Sequence, residues 1–191
     1  MGRHMESWLP RHRITVDEYY RMAEVGLLAE DARVELIEGE IIDMAPIGSR
    51  HGAVVTRFDR LIQRAAGDRA IVRVQLPVRL SRSSEPQPDL ALVKPRVDFY
   101  ESGHPSASDT LLIIEVSETT LRYDCEVKVP LYARHGVPEV WIVDLKGRRL
   151  HFYRSPVDGR YAEVSSVAEP GTTPIATLPG IVIDLTGVLG A

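Results

Sequence analysis

The sequence predicts an α/β protein, in the α+β sense of a mixed β-sheet flanked by helices. Three observations carry this prediction. Residues 111–116 are apolar except for Glu115, which is typical of a strand buried on both faces. Residues 54–65 carry an apolar stripe at i, i+4 and i+7, which indicates an amphipathic helix. A second helical segment follows the buried strand and is predicted to stop at Gly136.

A short helix and a hairpin are predicted before the sheet. Thr15 and Glu18 form a capping-box pattern, in which a threonine at the N-cap precedes a glutamate by three residues. The helix that they open is predicted to end near Gly26. Residues 33–44 then have the pattern of a β-hairpin with Gly39 in its turn.

A longer helix and two strands come next. Ser49 is the predicted N-cap of this helix, and Gly67 is predicted to end it. Residues 70–80 alternate apolar and polar side chains, which predicts a strand. A polar turn at 81–87 leads into a strand at 88–93, so we expect the two strands to pair antiparallel.

The segment 94–109 is the longest irregular stretch, and we expect it to be a surface loop near the substrate. After the buried strand, Asp124 is the predicted N-cap of a helix that runs to His135. Pro130 lies inside that helix and is expected to kink it or to delay its start.

The remaining elements are strands. Residues 140–144 and 149–153 are predicted to form a hairpin, and residues 180–185 a last short strand. Residues 1–5 have the character of a cloning remnant, so residues 6–191 are expected to form a single domain.

The composition is that of an ordinary globular protein. The net charge of −4 argues against an extensive basic surface for nucleic acid. No apolar run reaches the roughly 18 residues that span a bilayer, so no transmembrane segment is expected. Cys125 is the single cysteine, which excludes an internal disulfide and a cysteine-based zinc site and fits a reducing, cytoplasmic compartment.

Arginine is concentrated in the segment 57–82. A local basic face is one interpretation, and a solvated helix side with arginines scattered over strands is the other. The residues are Arg57, Arg60, Arg64, Arg69, Arg73, Arg79 and Arg82.

Two carboxylates and a lysine are predicted to converge on the sheet. Asp89 lies at the start of one strand, Glu115 interrupts another, and Lys128 belongs to the helix that follows. Because burial of an unpaired charge costs several kcal/mol, Glu115 needs a compensating partner. Such oxygen ligands suit a divalent metal beside an activated water.

Eight short motifs in a fixed order carry a family resemblance. They are Glu35-Leu-Ile-Glu-Gly39, His51, Gln75-Leu-Pro-Val78, Pro88-Asp89-Leu-Ala-Leu-Val93, Ile114-Glu115-Val-Ser117, Tyr123-Asp-Cys-Glu-Val-Lys128, Tyr132 and Gly136-Val-Pro-Glu-Val-Trp-Ile-Val-Asp144. In order and spacing they resemble the PD-(D/E)XK, or restriction-endonuclease-like, superfamily. They resemble the bacterial Uma family of endonucleases more closely, over roughly Ile14 to Tyr153.

The resemblance implies a restriction-endonuclease-like core and a Mg²⁺- or Mn²⁺-dependent endonuclease that hydrolyses DNA phosphodiester bonds. Asp89, Glu115 and the main-chain carbonyl of Val116 would hold the metal. The superfamily's usual lysine position, two residues after the glutamate, is Ser117 here. The resemblance therefore implies that Lys128 takes that role, orienting or deprotonating the attacking water.

Each main candidate also has a structural interpretation. Asp89 is a turn aspartate in that interpretation, and Glu115 belongs to a buried salt bridge. Lys128 is then a surface lysine paired with Asp124 at i, i+4.

The supporting candidates are Glu35, His51 and Gln75. Glu35 either binds a second metal or a water, or is an exposed strand carboxylate. His51 either makes a core hydrogen bond or contacts a metal or phosphate. Gln75 is predicted to flank the site, and Tyr132 is interpreted as a packing residue.

Two rival functions remain open at this stage. One is a catalytically inactive nucleic-acid- or protein-binding module on the same fold, which Ser117 and the acidic net charge favour. The other is a metal-dependent phosphoesterase that acts on a substrate other than DNA. A homodimer is also expected, with Trp141 and Phe152 as its candidate apolar contact surface.

Overall fold

The computed structural model describes residues 10–29 and 31–190. The predicted cloning remnant at 1–5 therefore lies outside the described residues. Within the described part of the chain, every helix is too short or too polar to cross a lipid bilayer.

The helices of residues 10–29 and 31–190 are two separate α-helices and a third helical segment with a π-helical turn in its middle. They are α1 (Val16–Glu24), α2 (Ser49–Ala66), α3 (Leu121–Tyr123), the π-helical turn Asp124–Lys128, and α4 (Val129–Arg134). Short 3₁₀ turns lie at Gly67–Arg69 and Ala107–Asp109.

In the described residues, ten strands form one large sheet and two small hairpins. They are β1 (Val34–Ile37), β2 (Glu40–Asp43), β3 (Ile71–Val74), β4 (Leu90–Val93), β5 (Thr110–Ser117), β6 (Glu139–Asp144), β7 (Arg149–Val157), β8 (Arg160–Val167), β9 (Thr172–Pro174) and β10 (Val182–Asp184). The large sheet has the order β3-β4-β5-β6-β7-β8. Only β5 and β6 run parallel, so the sheet is mixed as predicted.

The sheet is covered on both faces. Leu112, Ile114 and Val116 of β5 point to one face, where they pack with α2 and the C-terminal segment. Ile113 points to the other face, where Val140 and Ile142 of β6 meet α4. Because side chains alternate along a strand, Glu115 and Ser117 belong to the α4 face.

Local sequence signals set several boundaries correctly. The capping box is present, since the Thr15 hydroxyl accepts from the Glu18 N–H and the Glu18 carboxylate accepts from the Thr15 N–H. Gly67 ends α2 with a φ of 51°, and Gly136 follows α4 with a φ of 75°. Both glycines adopt a left-handed φ that disfavours other residues.

Other boundaries differ from the prediction. The N-cap of α2 is Gly48 rather than Ser49, and it makes no side-chain capping bond. The predicted strand at 70–80 stops at Val74, because Gln75 has a φ of 50° that strand geometry does not allow.

The last helical segment starts earlier than predicted. Its N-cap is Thr120, so Asp124 is an interior residue and not a cap. Pro130 is the second residue of α4 and directly follows the π-helical turn, so it neither ends the helical segment nor delays its start. The preceding π-helical turn closes with the bond from the Val129 N–H to the Asp124 carbonyl.

Two surface predictions need correction, and the two interpretations of the arginine-rich segment stay open. The loop 94–109 leaves the C-terminal end of β4 and does not line the large cavity, so it is not near the proposed substrate. Trp141 and Phe152 are buried against each other with ring centroids 5.4 Å apart, and so they cannot form a contact surface. Of the arginines of 57–82, Arg73 is buried and Arg79 pairs with Asp17. Arg57, Arg60 and Arg64 are exposed at i, i+3 and i+7 on α2, so a local basic face stays a prediction there.

Candidate active site

A cavity of about 940 Å³ opens at the end of the sheet where β4 begins and β5 ends. Its lining is rich in carboxylates and poor in cations. The carboxylates are Glu35, Asp43, Asp89, Glu115, Glu118, Asp124 and Glu126, and the cations are Arg33, Arg122 and Lys128, with His51 beside them. Such a lining attracts cations and repels an unaccompanied phosphate.

The strand register brings Asp89 and Glu115 together. Leu90 of β4 lies opposite Ile114 of β5, so the preceding Asp89 lies beside Glu115 on the same face of the sheet. The Val116 N–H donates to Asp89 Oδ2 over 2.8 Å. The Asp89 N–H makes a longer contact of 3.4 Å with Glu115 Oε2.

Two side chains fix the other oxygen of Asp89. His51 Nε2 lies 2.8 Å from Oδ1, and the Gln75 amide donates to the same oxygen over 3.2 Å. Burial opposes ionisation of Asp89, but the bonds from His51, Val116 and Gln75 hold the pKa of this carboxyl below its ordinary value. The bond to Asp89 also raises the pKa of His51 and so favours its charged form.

Glu115 is a buried carboxylate with two donors on one oxygen. Its Oε1 receives the Lys128 ammonium at 2.7 Å and the Tyr132 hydroxyl at 2.6 Å. Burial raises the pKa of Glu115 to about 8, and the charge of Lys128 only partly opposes that shift. A divalent cation nearby would lower this pKa.

Lys128 connects Glu115 to the β1–β2 hairpin. Its side chain is 4% exposed, and its ammonium lies 3.2 Å from Glu35 Oε2. Burial opposes the charge of Lys128, but Glu115 and Glu35 together hold the pKa of this amine well above its ordinary value. Glu35 also accepts from the Tyr123 hydroxyl at 3.1 Å and the Gln87 N–H at 3.0 Å.

Ser117, which occupies the superfamily's usual lysine position, is hydrogen-bonded to the helical segment. The Ser117 hydroxyl donates to Asp124 Oδ2 over 2.6 Å, and the Thr120 hydroxyl donates to the same oxygen over 2.7 Å. Lys128 lies one turn after Asp124, so its amine points towards Glu115 from the helix and not from the strand. Burial raises the pKa of Asp124, which Lys128, Ser117 and Thr120 partly offset.

The structure brings together all six side chains that the sequence singled out. Two structural interpretations are wrong: Lys128 is not a surface lysine paired with Asp124, and Glu35 is not exposed. Glu115 does belong to a buried salt bridge, with Lys128 as its partner. The catalytic and ligand roles of these residues stay predictions.

Two tyrosines of the site were missed. Tyr132 was interpreted as a packing residue, yet its hydroxyl donates a hydrogen bond to Glu115. The hydroxyl of Tyr123 donates a hydrogen bond to Glu35. A signal for Tyr132 exists, because it lies four residues after Lys128 and therefore on the same helix face. Tyr123 has no comparable signal.

The donor set fits a hard divalent cation in part. Carboxylate and main-chain oxygens are the ligands that Mg²⁺ and Mn²⁺ prefer. The N–H and C=O of one strand residue point to the same edge of the strand. Because the Val116 N–H points to Asp89, the Val116 carbonyl also points to the Asp89 side. Among residues 10–29 and 31–190, no three His, Cys, Asp or Glu side chains are grouped to hold an ion, so main-chain oxygen and water would complete the coordination.

Comparison with known proteins decides the family. The model of the Uma2 family, described as "Putative restriction endonuclease", matches residues 16–186. The chain belongs to the Uma2 family. Membership in Uma2 confirms the resemblance inferred from the sequence motifs. No protein of curated function matches the chain.

A solved structure supports the Uma2 fold. It is described as the crystal structure of "a putative nuclease belonging to DUF820 from Anabaena variabilis". It shares 19% sequence identity with a TM-score of 0.67, and the match covers 92% of this chain and 97% of that one. The likeness is one of fold, and it confirms the predicted mixed sheet flanked by helices.

Proposed function

We propose that this Uma2 protein is a divalent-metal-dependent endonuclease that hydrolyses DNA phosphodiester bonds. One observation carries the proposal: the buried Lys128 amine bridges Glu115 and Glu35 beside Asp89, in the lining of an open cavity. The description of the family, and that of the solved neighbour as a nuclease, support the same reaction class.

Asp89, Glu115 and the Val116 carbonyl would hold the ion. When bound, Mg²⁺ or Mn²⁺ supplies a Lewis acid for the phosphoryl oxygen and activates a water. His51 and Gln75 orient Asp89 from its Oδ1 side. Tyr132 and Lys128 both occupy Oε1 of Glu115, which leaves Oε2 with only the 3.4 Å contact from Asp89.

Lys128 acts as a cation in this account. Because its pKa is held well above the ordinary value, the amine stays protonated and does not take a proton from water. Its role is to orient the attacking water and to offset the negative charge that develops on the phosphate. Glu35 keeps the amine in place from the opposite side.

The acidic lining explains why a cation is required. DNA brings one negative charge per phosphate to a cavity that already holds seven carboxylates and three basic side chains. Metal ions would lower this repulsion and make the cavity accessible to the backbone. Both the binding and the cleavage of DNA are therefore expected to depend on divalent metal.

The test is incubation of purified protein with supercoiled plasmid and with single- and double-stranded oligonucleotides, in Mg²⁺, Mn²⁺ or EDTA. Lys128→Met removes the proposed cation, and Lys94→Met is the matched control at an exposed lysine of the loop 94–109. Cleavage is expected in metal only, with the Lys94 variant active and the Lys128 variant inactive.

Other results distinguish the rivals. Metal-dependent DNA binding without cleavage would support the inactive binding module, and cleavage only of a small phosphodiester would support the other phosphoesterase. Equal cleavage in EDTA would contradict the proposal. Circular dichroism of each variant shows whether it is folded.

Three lesser proposals accompany this one. Residues 6–191 would fold as a single domain. The protein would be cytoplasmic, because a single cysteine suits a reducing compartment. The active form would be a homodimer, because cleavage of a duplex needs two cuts. Light scattering at assay concentration tests the dimer.

A further inference from the structure

The exposed side of α2 carries arginines along one flank. They are Arg50, Arg57, Arg60 and Arg64. Because each residue turns the helix by about 100°, the four lie within about 80° of one another around its axis, and no acidic residue of α2 falls within that arc. Asp59, the single acidic residue of α2, lies about 100° or more away and accepts from the Gln63 amide.

Two more cations lie beside this flank, in the turn between β6 and β7. They are Lys146 and Arg148, and both are exposed. The Arg50 guanidinium donates to the carbonyl of Leu145 in the same turn, over 2.8 Å. Together the six cations form what we call the basic patch: Arg50, Arg57, Arg60, Arg64, Lys146 and Arg148.

Main-chain carbonyls, and not carboxylates, hold the arginines of the basic patch. Arg57 and Arg148 donate to carbonyls of the C-terminal segment, those of Val188 over 3.3 Å and Gly190 over 3.0 Å. Within residues 10–29 and 31–190, no carboxylate forms a salt bridge with any of the six cations. Since a carbonyl carries no net charge, the basic patch keeps a positive charge that attracts anions.

The basic patch adjoins the acidic cavity. Arg50 lies between Gly48 and His51 in the chain, and both of these residues line the cavity. Strands β5 and β6 run parallel, with Ser117 opposite Asp144. The turn between β6 and β7 therefore lies at the end of the sheet where the cavity opens.

We propose that the basic patch binds the DNA backbone beside the phosphate that enters the cavity. This inference rests on the proposed endonuclease function and supplies the positive charge that the cavity lining lacks. The metal admits one phosphate to the cavity, and the basic patch holds neighbouring ones. The arginines of α2 extend over about 21 Å, the length of about six base pairs of B-DNA, so they can contact several phosphates.

The side chains of α2 favour nucleic acid over a membrane surface. A planar guanidinium donates to two oxygens of one phosphate, and four of the six cations lie on α2 as arginines. No large apolar side chain of α2 is exposed. A helix that lies on a lipid surface would need such side chains to enter the acyl boundary.

Binding of a short fluorescent DNA duplex in Mg²⁺ tests the basic patch. The duplex carries phosphorothioates, which keep the negative charge and resist cleavage. The patch variant combines Arg57→Gln, Arg60→Gln and Arg64→Gln, because glutamine retains helix propensity. The matched control removes three exposed arginines outside the basic patch, through Arg21→Gln, Arg82→Gln and Arg160→Gln.

The patch variant is expected to bind the duplex at least about 10-fold more weakly than the wild type in about 0.1 M salt. Its dependence of log K on log salt should be less steep by roughly 3, because each lost phosphate contact removes about 1 from the slope. The control should bind like the wild type. Equal weakening of both variants, an unchanged patch variant, or a wild type that does not bind would overturn the proposal.

Cleavage of plasmid in Mg²⁺ separates failure of the basic patch from failure of the proposed function. The patch variant is expected to have a raised KM and an unchanged kcat. A wild type that binds duplex through the basic patch without cleaving it would contradict the endonuclease and support the patch. A wild type that cleaves, with a patch variant of equal KM, would overturn the patch alone. Circular dichroism shows that both variants are folded.

Discussion

Two buried glutamates in adjacent strands, Glu139 of β6 and Glu115 of β5, have different hydrogen-bond environments, and only Glu115 is a proposed metal ligand. Both oxygens of Glu139 have donors at short distances. The indole N–H of Trp141 and the guanidinium of Arg154 donate to Oε1 over 2.8 and 2.7 Å, and the Ala176 N–H donates to Oε2 over 2.9 Å. Glu139 faces the core on the α2 side and does not line the large cavity.

Glu115 is as deeply buried but is incompletely bonded. Two donors share its Oε1, whereas Oε2 has only the 3.4 Å contact from Asp89, and Glu115 is part of the cavity lining. Burial alone therefore does not identify a site. Glu115 differs from Glu139 because one of its oxygens has no short hydrogen-bond donor. Glu115 also lines a cavity and lies beside a second carboxylate.

The largest expected effect is on cleavage. Glu115→Gln removes a proposed metal ligand and should lower the rate of plasmid cleavage by at least about 100-fold, which is typical for loss of one transition-state-stabilising group. Glu139→Gln should retain activity at temperatures where it is folded. Equal loss of activity in both variants would remove the distinction between the two glutamates.

Stability should show the opposite order. Glu139→Gln breaks a buried ion pair and should lower the free energy of unfolding by roughly 3 kcal/mol, or about 6–12 °C in melting temperature. Glu115→Gln in EDTA should melt at or above the wild-type temperature, because it removes a buried carboxylate while Lys128 keeps Glu35 as a partner. A Glu115→Gln protein that melts well below wild type in EDTA would make Glu115 a structural residue.

Metal should stabilise the wild type. Mg²⁺ at ten times its dissociation constant is expected to add about 1.4 kcal/mol, or about 3–6 °C. Asp89→Asn and Glu115→Gln should lose most of this shift, and Glu139→Gln should keep it. Thermal melts of the four proteins, with Mg²⁺ and with EDTA, measure the shift in melting temperature that the metal causes.

The last expected effect is a dependence of stability on pH. In EDTA the folded-state pKa of Glu115 is raised to about 8 from an ordinary value of 4.5, so its contribution to stability is fully present below pH 4.5 and is lost as the pH rises through 8. The stability of the wild type relative to Glu115→Gln should therefore fall between pH 5 and 8. Urea titrations across this range measure the difference, and a constant difference would contradict the raised pKa.

Much of the fold was predictable because local signals were strong. The capping box at Thr15, the apolar stripe of α2 and the buried run of β5 each fixed one element. Strand β8 was missed because its exposed side chains give no alternating pattern. The early end of β3 was missed because the left-handed φ of Gln75 comes from its surroundings and not from a glycine.

The site was predictable from order and spacing, with one gap. Asp89 and Glu115 were placed together because neighbouring strands bring them together, and Lys128 because the following helix returns to the sheet. The partners of Glu35 and the role of Tyr132 depend on how the β1–β2 hairpin and α4 pack around Lys128. Such tertiary contacts leave no periodic trace in a single sequence.

Calorimetric titration of Mn²⁺ into metal-free protein tests the central claim most directly. Wild type and Glu139→Gln are expected to bind the ion, and Asp89→Asn and Glu115→Gln are expected to lose that binding. Binding that survives in both ligand variants, or is absent from a folded wild type, would contradict a metal site built on Asp89 and Glu115.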